Sequence, residues 1–273
     1  MRTPILILLL LSCLFVTAQS HKLEKLWQTD SIVAIPESIL PHPKTNFLYI
    51  SLIDGAPWEK DGKGGIARLK QDGTGYDSSW IVGLHCPKGM GIYKNNLYIA
   101  DLDEVVVADV NSGKVKKRIA IDSASGLNDV TISDKGVVYV SDSRTARIWQ
   151  LVNDVPKLFL TDMKGVNGLK AVKDDLVIAS GTAFMKSTSN KKLTSIATLP
   201  QAGDGIEPIG NGDYLVSSWG GYLFYVSANG TVESLLESHK EKINIADIGY
   251  DRAKKVIYVP TFFAKTVVAY KLK

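Results

Sequence analysis

Six polar or charged residues recur through this chain at a common offset from an apolar run. Glu37, Lys88, Asn128, Asn167, Asp204 and Asp247 each stand nine to eleven residues before such a run. Five of the six carry side-chain oxygen, and three of those are carboxylates. Carboxylates gathered in low-dielectric surroundings repel one another unless a cation sits among them. A mixed set of carboxylate and amide oxygens suits Ca²⁺, with Mg²⁺ or Mn²⁺ as alternatives. Taken singly the residues have a plainer meaning, since Asn167-Gly168 and Asp204-Gly205 are ordinary turn dipeptides. Their common register is what points to a site. Glu37 is the most telling member, because Glu is a poor turn residue and this one lies between Pro36 and the apolar pair Ile39-Leu40. Lys88 is discordant, a cation where a metal's charge belongs; turned outward, it leaves Gly89 facing the centre. No Gly-x-Ser-x-Gly motif occurs and no His belongs to the set, so no Ser-His-Asp arrangement is legible.

Such residues need a scaffold that gathers them, and the apolar runs supply it. They are Leu48-Tyr49-Ile50-Ser51, Leu97-Tyr98-Ile99-Ala100, Val138-Tyr139-Val140-Ser141, Leu176-Val177-Ile178-Ala179, Tyr214-Leu215-Val216-Ser217 and Ile257-Tyr258-Val259-Pro260. Their first residues are separated by 49, 41, 38, 38 and 43 positions. That period fits a four-stranded blade, and six copies predict an all-β, six-bladed β-propeller. Asn211-Gly212, Gly220-Gly221 and Asn229-Gly230 fall where tight hairpins need positive φ. The last unit lacks an outer strand, and Leu23 to Gln28 is expected to supply it and close the ring, leaving no free edge. Loops between the second and third strands of the blades should rim the same mouth with Trp58, Asp103, Arg144, Phe184, Trp219 and Phe262-Phe263. The longest, Asp54 to Gly65, has the character of a lid. An aromatic rim suits an apolar or ring-shaped small molecule.

The beginning of the chain reads differently. Arg2, the apolar stretch Ile5 to Val16 and the small-residue site Val16-Thr17-Ala18 have the form of a secretory signal peptide. The domain expectation is therefore residues 1–18 as signal peptide and 19–273 as one propeller, secreted or periplasmic. Leu10-Leu11-Ser12-Cys13 offers the alternative of a lipid anchor through Cys13. No other segment is long and apolar enough for a transmembrane helix. The net charge of +4, with Lys and Arg scattered, gives no basic stripe for nucleic acid. Beyond Cys13 the chain has one cysteine, Cys86, so no internal disulfide is expected in the propeller. The four histidines stand far apart, which argues against zinc.

Four segments carry a resemblance: Pro36-Glu37-Ser38, Gly126-Leu127-Asn128-Asp129, Val166-Asn167-Gly168-Leu169 and Gly203-Asp204-Gly205-Ile206. With them the chain resembles the SMP-30/gluconolactonase/luciferin-regenerating-enzyme group of six-bladed propellers. The resemblance implies that Glu37, Asn167 and Asp204 bind one divalent cation, that Asn128 holds substrate, and that Asp204 accepts a proton in lactone hydrolysis. Members that act on sugar lactones commonly have an arginine two residues before the substrate Asn, where this chain has Gly126. Arg144, Trp219 and Asp247 are the further substrate-side candidates. The leading expectation is a secreted, calcium-dependent hydrolase of a lactone or related ester. A second is a non-catalytic propeller binding a small ligand or protein partner through the same face. A third is a strictosidine-synthase-like relative in which Glu37 works without a metal.

Overall fold

The computed structural model describes residues 21–273. The expected signal segment and Cys13 lie outside the described residues. Six four-stranded antiparallel sheets stand around a central axis as the blades of a β-propeller. Blade 1 is Pro36–Pro41, Phe47–Leu52, Gly64–Lys70 and Asp77–Leu84; blade 2 is Pro87–Tyr93, Asn96–Asp101, Glu104–Asp109 and Val115–Ala120. Blade 3 is Leu127–Ile132, Val138–Asp142, Arg147–Val152 and Val155–Leu160; blade 4 is Val166–Val172, Asp175–Ser180, Ala183–Ser187 and Leu193–Thr198. Blade 5 is Ile206–Gly210, Asp213–Ser218, Tyr222–Val226 and Val232–Glu237. Blade 6 is Gly249–Asp251, Val256–Pro260 and Val267–Leu272, with Leu23–Gln28 as its outer strand.

The apolar runs are the second strands of the blades. They are apolar without alternation because both faces are covered, each by a neighbouring blade. Tyr49 and Ile66 of blade 1, for example, pack against Leu97, Ile99 and Val106 of blade 2. Full burial of each such side chain contributes about 1.5–3 kcal/mol. Outer strands lie at the periphery and are largely in water, so Val115–Ala120 carries exposed Lys116, Lys117 and Arg118.

The inner strands position the site through a repeated irregularity. In blades 1 to 4 the pairing register slips by one residue, between Pro36 and Ile39, Pro87 and Met90, Leu127 and Val130, and Val166 and Leu169. Each slip is a β-bulge, which turns two consecutive residues out of the ladder. The first of the pair reaches the mouth, as Glu37 and Asn128 do, and the second lines the tunnel below it, as Ser38 and Asp129 do. In blades 1, 3 and 5 the backbone N–H at this level is met by the serine that ends the apolar run. Ser38 donates to Ser51 Oγ, Asp129 to Ser141 Oγ and Gly205 to Ser217 Oγ, all at 2.9 Å.

Beneath the mouth the strands come so close that three blades have glycine there. A Cβ on Gly168 would stand 1.7 Å from the Asp204 carbonyl oxygen. One on Gly205 would stand 2.1 Å from Asp247 Oδ1, and one on Gly89 2.4 Å from Asp129 Oδ1. The other three blades place Ser38, Asp129 and Asp247 at this level. Asp247 is therefore one layer deeper than its offset in the sequence suggested, and buried Ala246 takes the sixth position nearer the mouth. The offset misleads because the inner strand of blade 6 is only Gly249–Asp251, and Asp247 joins blade 1 instead, in a parallel bridge with Ser38. Asp247 Oδ2 accepts from Ser38 Oγ at 2.5 Å, and Asp129 Oδ2 accepts from the Leu169 N–H at 2.6 Å. Lower still, Lys170 meets Glu207 at 2.9 Å.

Leu23–Gln28 pairs with Val267–Leu272 in blade 6. Trp27 Nε1 donates to the Gln71 carbonyl at 3.1 Å, and His21 stacks on Tyr225 while bonding Glu233, so this strand also touches blades 1 and 5. Deleting residues 21–29 is expected to lower Tm by roughly 10 °C or more, since it uncovers an edge and two aromatic contacts. An unchanged melting curve would deny the strand any share in holding the ring.

Burial pushes the Asp129 carboxyl up to about 7, against the pull of the Leu169 N–H. Its ordinary value is about 3.9, so the folded state holds this proton more tightly than the unfolded chain. The stabilisation is complete below about pH 4 and is lost as pH rises through about 7. Asp129→Asn should therefore flatten the decline of Tm between pH 5 and 8. Melting curves across that range showing an undiminished slope would place the titration elsewhere.

Candidate active site at the mouth of the tunnel

One cavity of about 270 Å³ opens at the mouth, lined by Glu37, Pro57, Trp58, Lys88, Asn128, Asn167, Asp204, Trp219, Phe262 and Phe263. Its volume suits a small molecule. A larger groove of about 850 Å³ runs between blades 4 and 5 beside Tyr214 and Arg252, but turn residues and surface charges line it and no buried polar groups converge there. The mouth is where the chemistry lies. Five residues of the sequence-derived set meet in it: Glu37, Lys88, Asn128, Asn167 and Asp204. Asp247 does not; it faces the tunnel interior with Ser38 and Asp129.

Lys88 points inward. Its Nζ lies 2.9 Å from Glu37 Oε1, with side chains only 5% and 6% exposed, and 4.4 Å from the centre of the Trp58 ring. Burial works against the ammonium, yet the field and hydrogen bond of Glu37 prevail and raise its pKa. Asp204 is raised well above the usual carboxylate range by burial first and by Glu37 second, with Lys88 opposing. Burial also raises Glu37, but this carboxylate has the ammonium at hydrogen-bond distance. Among the described residues Asp204 has no ammonium at that distance, and burial leaves it holding a proton more tightly than an ordinary carboxyl. Asn128 is anchored by donating from Nδ2 to Ser143 Oγ at 3.0 Å. Asn167 Oδ1 is buried without a hydrogen-bond partner.

The rim matches its expected residues in part. Trp58 descends from the 54–65 loop onto Lys88, its backbone N–H donating to Cys86 Sγ at 3.3 Å, while Lys60 ties the loop to Asp103 at 2.6 Å. Trp219 packs edge-on against Phe262 and Phe263. Phe184 is not at the rim: it is fully buried between blades 4 and 5 against Tyr214, because its strand begins one residue before it. Ile35, Trp58, Leu102 and Phe262, all packed around Cys86 and Ala246, have φ between 46° and 74°. Positive φ is a genuine outlier for a β-branched residue such as Ile35, and backbone strain of this kind collects at functional sites. Arg144 lies exposed beside the mouth, its guanidinium 5.1 Å from the Trp58 ring centre. Its stem covers Gly126, where an added Cβ would stand 2.6 Å from Arg144 Cγ. A guanidinium therefore reaches this corner from the neighbouring hairpin.

The orphaned oxygen of Asn167 and the excess of carboxyls are features of a cation site. The cation already among them is the Lys88 ammonium, bonded to one of the expected ligands. A resident divalent ion does not fit beside it, since an ion on Glu37 and Asp204 would stand against a buried like charge. Among the described residues no three His, Cys, Asp or Glu side chains form a metal cluster.

The signal that Lys88 belongs inside was present in the sequence: Pro87-Lys88-Gly89 repeats the proline-charged-small pattern of Pro36-Glu37-Ser38. The tunnel layer of Asp129 and Asp247 was not singled out, although glycine after the ring residue in three blades marks it.

No protein-family model and no curated protein sequence matches the chain. Solved structures do. A gluconolactonase from Xanthomonas campestris matches with a TM-score of 0.71 at 14% identity, over 93% of this chain and 90% of that one. Virginiamycin B lyase from Staphylococcus aureus, crystallised with quinupristin, matches with a TM-score of 0.66 at 15% identity, over 93% and 100%. A chain of a nidogen/laminin complex matches with a TM-score of 0.68 at 13% identity, over 80% and 85%. Likeness at these identities establishes the propeller fold and no particular family within it.

Proposed function

We propose that the mouth is the active site of a small-molecule hydrolase that opens a lactone or cleaves a related ester. The observation that carries this reading is Asp204: a buried carboxyl with a raised pKa, set beside an ammonium and two amides beneath an aromatic rim. Gluconolactonase among the structural neighbours is consistent with it. In the proposed reaction, water attacks the carbonyl carbon and the Asp204 carboxylate takes its proton. The tetrahedral intermediate then expels the alkoxide, which takes that proton back. A carboxyl with a pKa nearer neutrality is better matched to such transfers than an ordinary one. Asn128, already oriented by Ser143, is suited to hold the substrate, and Trp219 and Phe263 to cover it. Arg144 is placed to pair with a carboxylate on the substrate. Export, as the first residues suggest, belongs to the same proposal.

The second reading is a non-catalytic propeller that holds a ligand or protein partner by this face. It is favoured by the exposure of Trp219 and Phe263, 47% and 57%, since exposed aromatics beside a polar site often mark binding surfaces.

A panel of lactones and aryl esters separates the two. Asp204→Asn should lower kcat by on the order of 10²–10⁴, as loss of a general base does. Asn128→Ala should raise KM more than it lowers kcat. Wild-type kcat/KM should climb with pH through a midpoint above the usual carboxylate range, because the base works deprotonated. An inert panel, with ligand binding at the mouth retained, would favour the non-catalytic reading; equal kcat for Asp204→Asn and wild type would remove Asp204 from proton transfer.

A further inference from the structure

Lys88 stands at the same level of the ring as Glu37, Asn128, Asn167 and Asp204. It arrives there as the first residue of the blade 2 bulge. Its placement is over-determined: a 2.9 Å bond to Glu37 Oε1 on one side and the face of Trp58 at 4.4 Å on another. Its field reaches Asp204 as well. An ammonium has three protons, and Glu37 Oε1 is the one hydrogen-bond acceptor it has among the described residues. The others remain for Asp204 or for an oxygen brought into the cavity. The buried Asn167 Oδ1, without a partner, marks the same place as one that favours a positive charge or a donor.

We propose that Lys88 is the built-in cation of this site, taking the place of a divalent metal ion and making the mouth metal-independent. The proposal rests on reading the mouth as the functional site and deepens it by naming the electrophile. In ester or lactone hydrolysis the Lys88 ammonium donates a hydrogen bond to the carbonyl oxygen, and the oxyanion that forms there pairs with it. Proton transfer stays with Asp204, because an ammonium does not make hydroxide from bound water as a metal does. No group outside substrate, water and these side chains enters the balance.

Ion binding tests this without any substrate. The full folded chain is melted and titrated calorimetrically with Ca²⁺, Mg²⁺ and Mn²⁺ in turn, at millimolar concentration and again in EDTA. Wild type should show no heat of binding and no change in Tm. Lys88→Ala leaves Glu37, Asn167 and Asp204 without their cation, and should gain a Ca²⁺-dependent rise in Tm of roughly 5 °C. Lys88→Arg keeps the charge and should remain indifferent. Should Lys88→Ala fail to fold, Lys88→Gln is the neutral near-isostere and should gain the same response. The proposal is overturned by a wild-type response to any of the ions that Glu37→Gln abolishes. It is equally overturned if neither neutral variant, once folded, gains ion binding. These readouts are separate from hydrolysis, so an inert substrate panel bears on the reaction while the ion titration bears on Lys88.

Discussion

Six strands cannot converge on one axis and all keep their side chains. The close approach of the inner strands, with a carbonyl oxygen 1.7 Å from where a Gly168 Cβ would lie, is the constraint on which the rest depends. Glycine in three blades lets the others come near, and the bulges of blades 1 to 4 each present one residue at the mouth above. The wall beneath holds only Gly, Ser or Asp, while the mouth accepts Glu, Lys, Asn, Asp or Ala from one blade to the next. Chemistry and packing are thereby assigned to adjacent residues of the same bulge.

Convergence also concentrates charge. Glu37, Asp204, Asp129, Asp247 and Glu207 are all raised by burial, and two lysines lie among them. Each lysine is committed to one glutamate, Lys88 to Glu37 above and Lys170 to Glu207 below. Asp129 and Asp247 lie between these pairs and Asp204 stands level with the upper one; backbone amides, a serine or an asparagine face these three instead of a cation at bonding distance, and burial raises each of them. The column is arranged so that an ion pair stands at each end and the aspartates of the tunnel bind protons more tightly than free carboxyls do.

Much of this was legible beforehand. The number of blades follows from second strands buried on both faces, which must be apolar throughout and so repeat visibly. Five ring positions follow from their offset, because the inner strand begins at a nearly constant distance before the second strand. Asp247 was misplaced by one residue where the inner strand shortens and the blade leans on its neighbour. Lys88 reads as discordant along its own strand, whereas its carboxylate partner arrives from a different blade. Phe184 was placed at the rim by loop position alone, and burial between blades decides otherwise. In each case the missing information is a contact between blades, which offset along one strand does not encode.

The pairing of Leu23–Gln28 with Val267–Leu272 joins segments at opposite ends of the described chain. Every other blade is assembled from neighbours in sequence, by local hairpins that form early. The sixth depends on one contact of maximal loop length, which is reached late because loop-closure entropy must be overcome before pairing rewards it. Folding of such a ring should thus end at this seam, and unfolding should start there. The mouth lies within reach of that event, since Ala246, Phe262 and Phe263 belong to the same blade region. A ligand held against those aromatics would slow the opening of a seam that it does not touch.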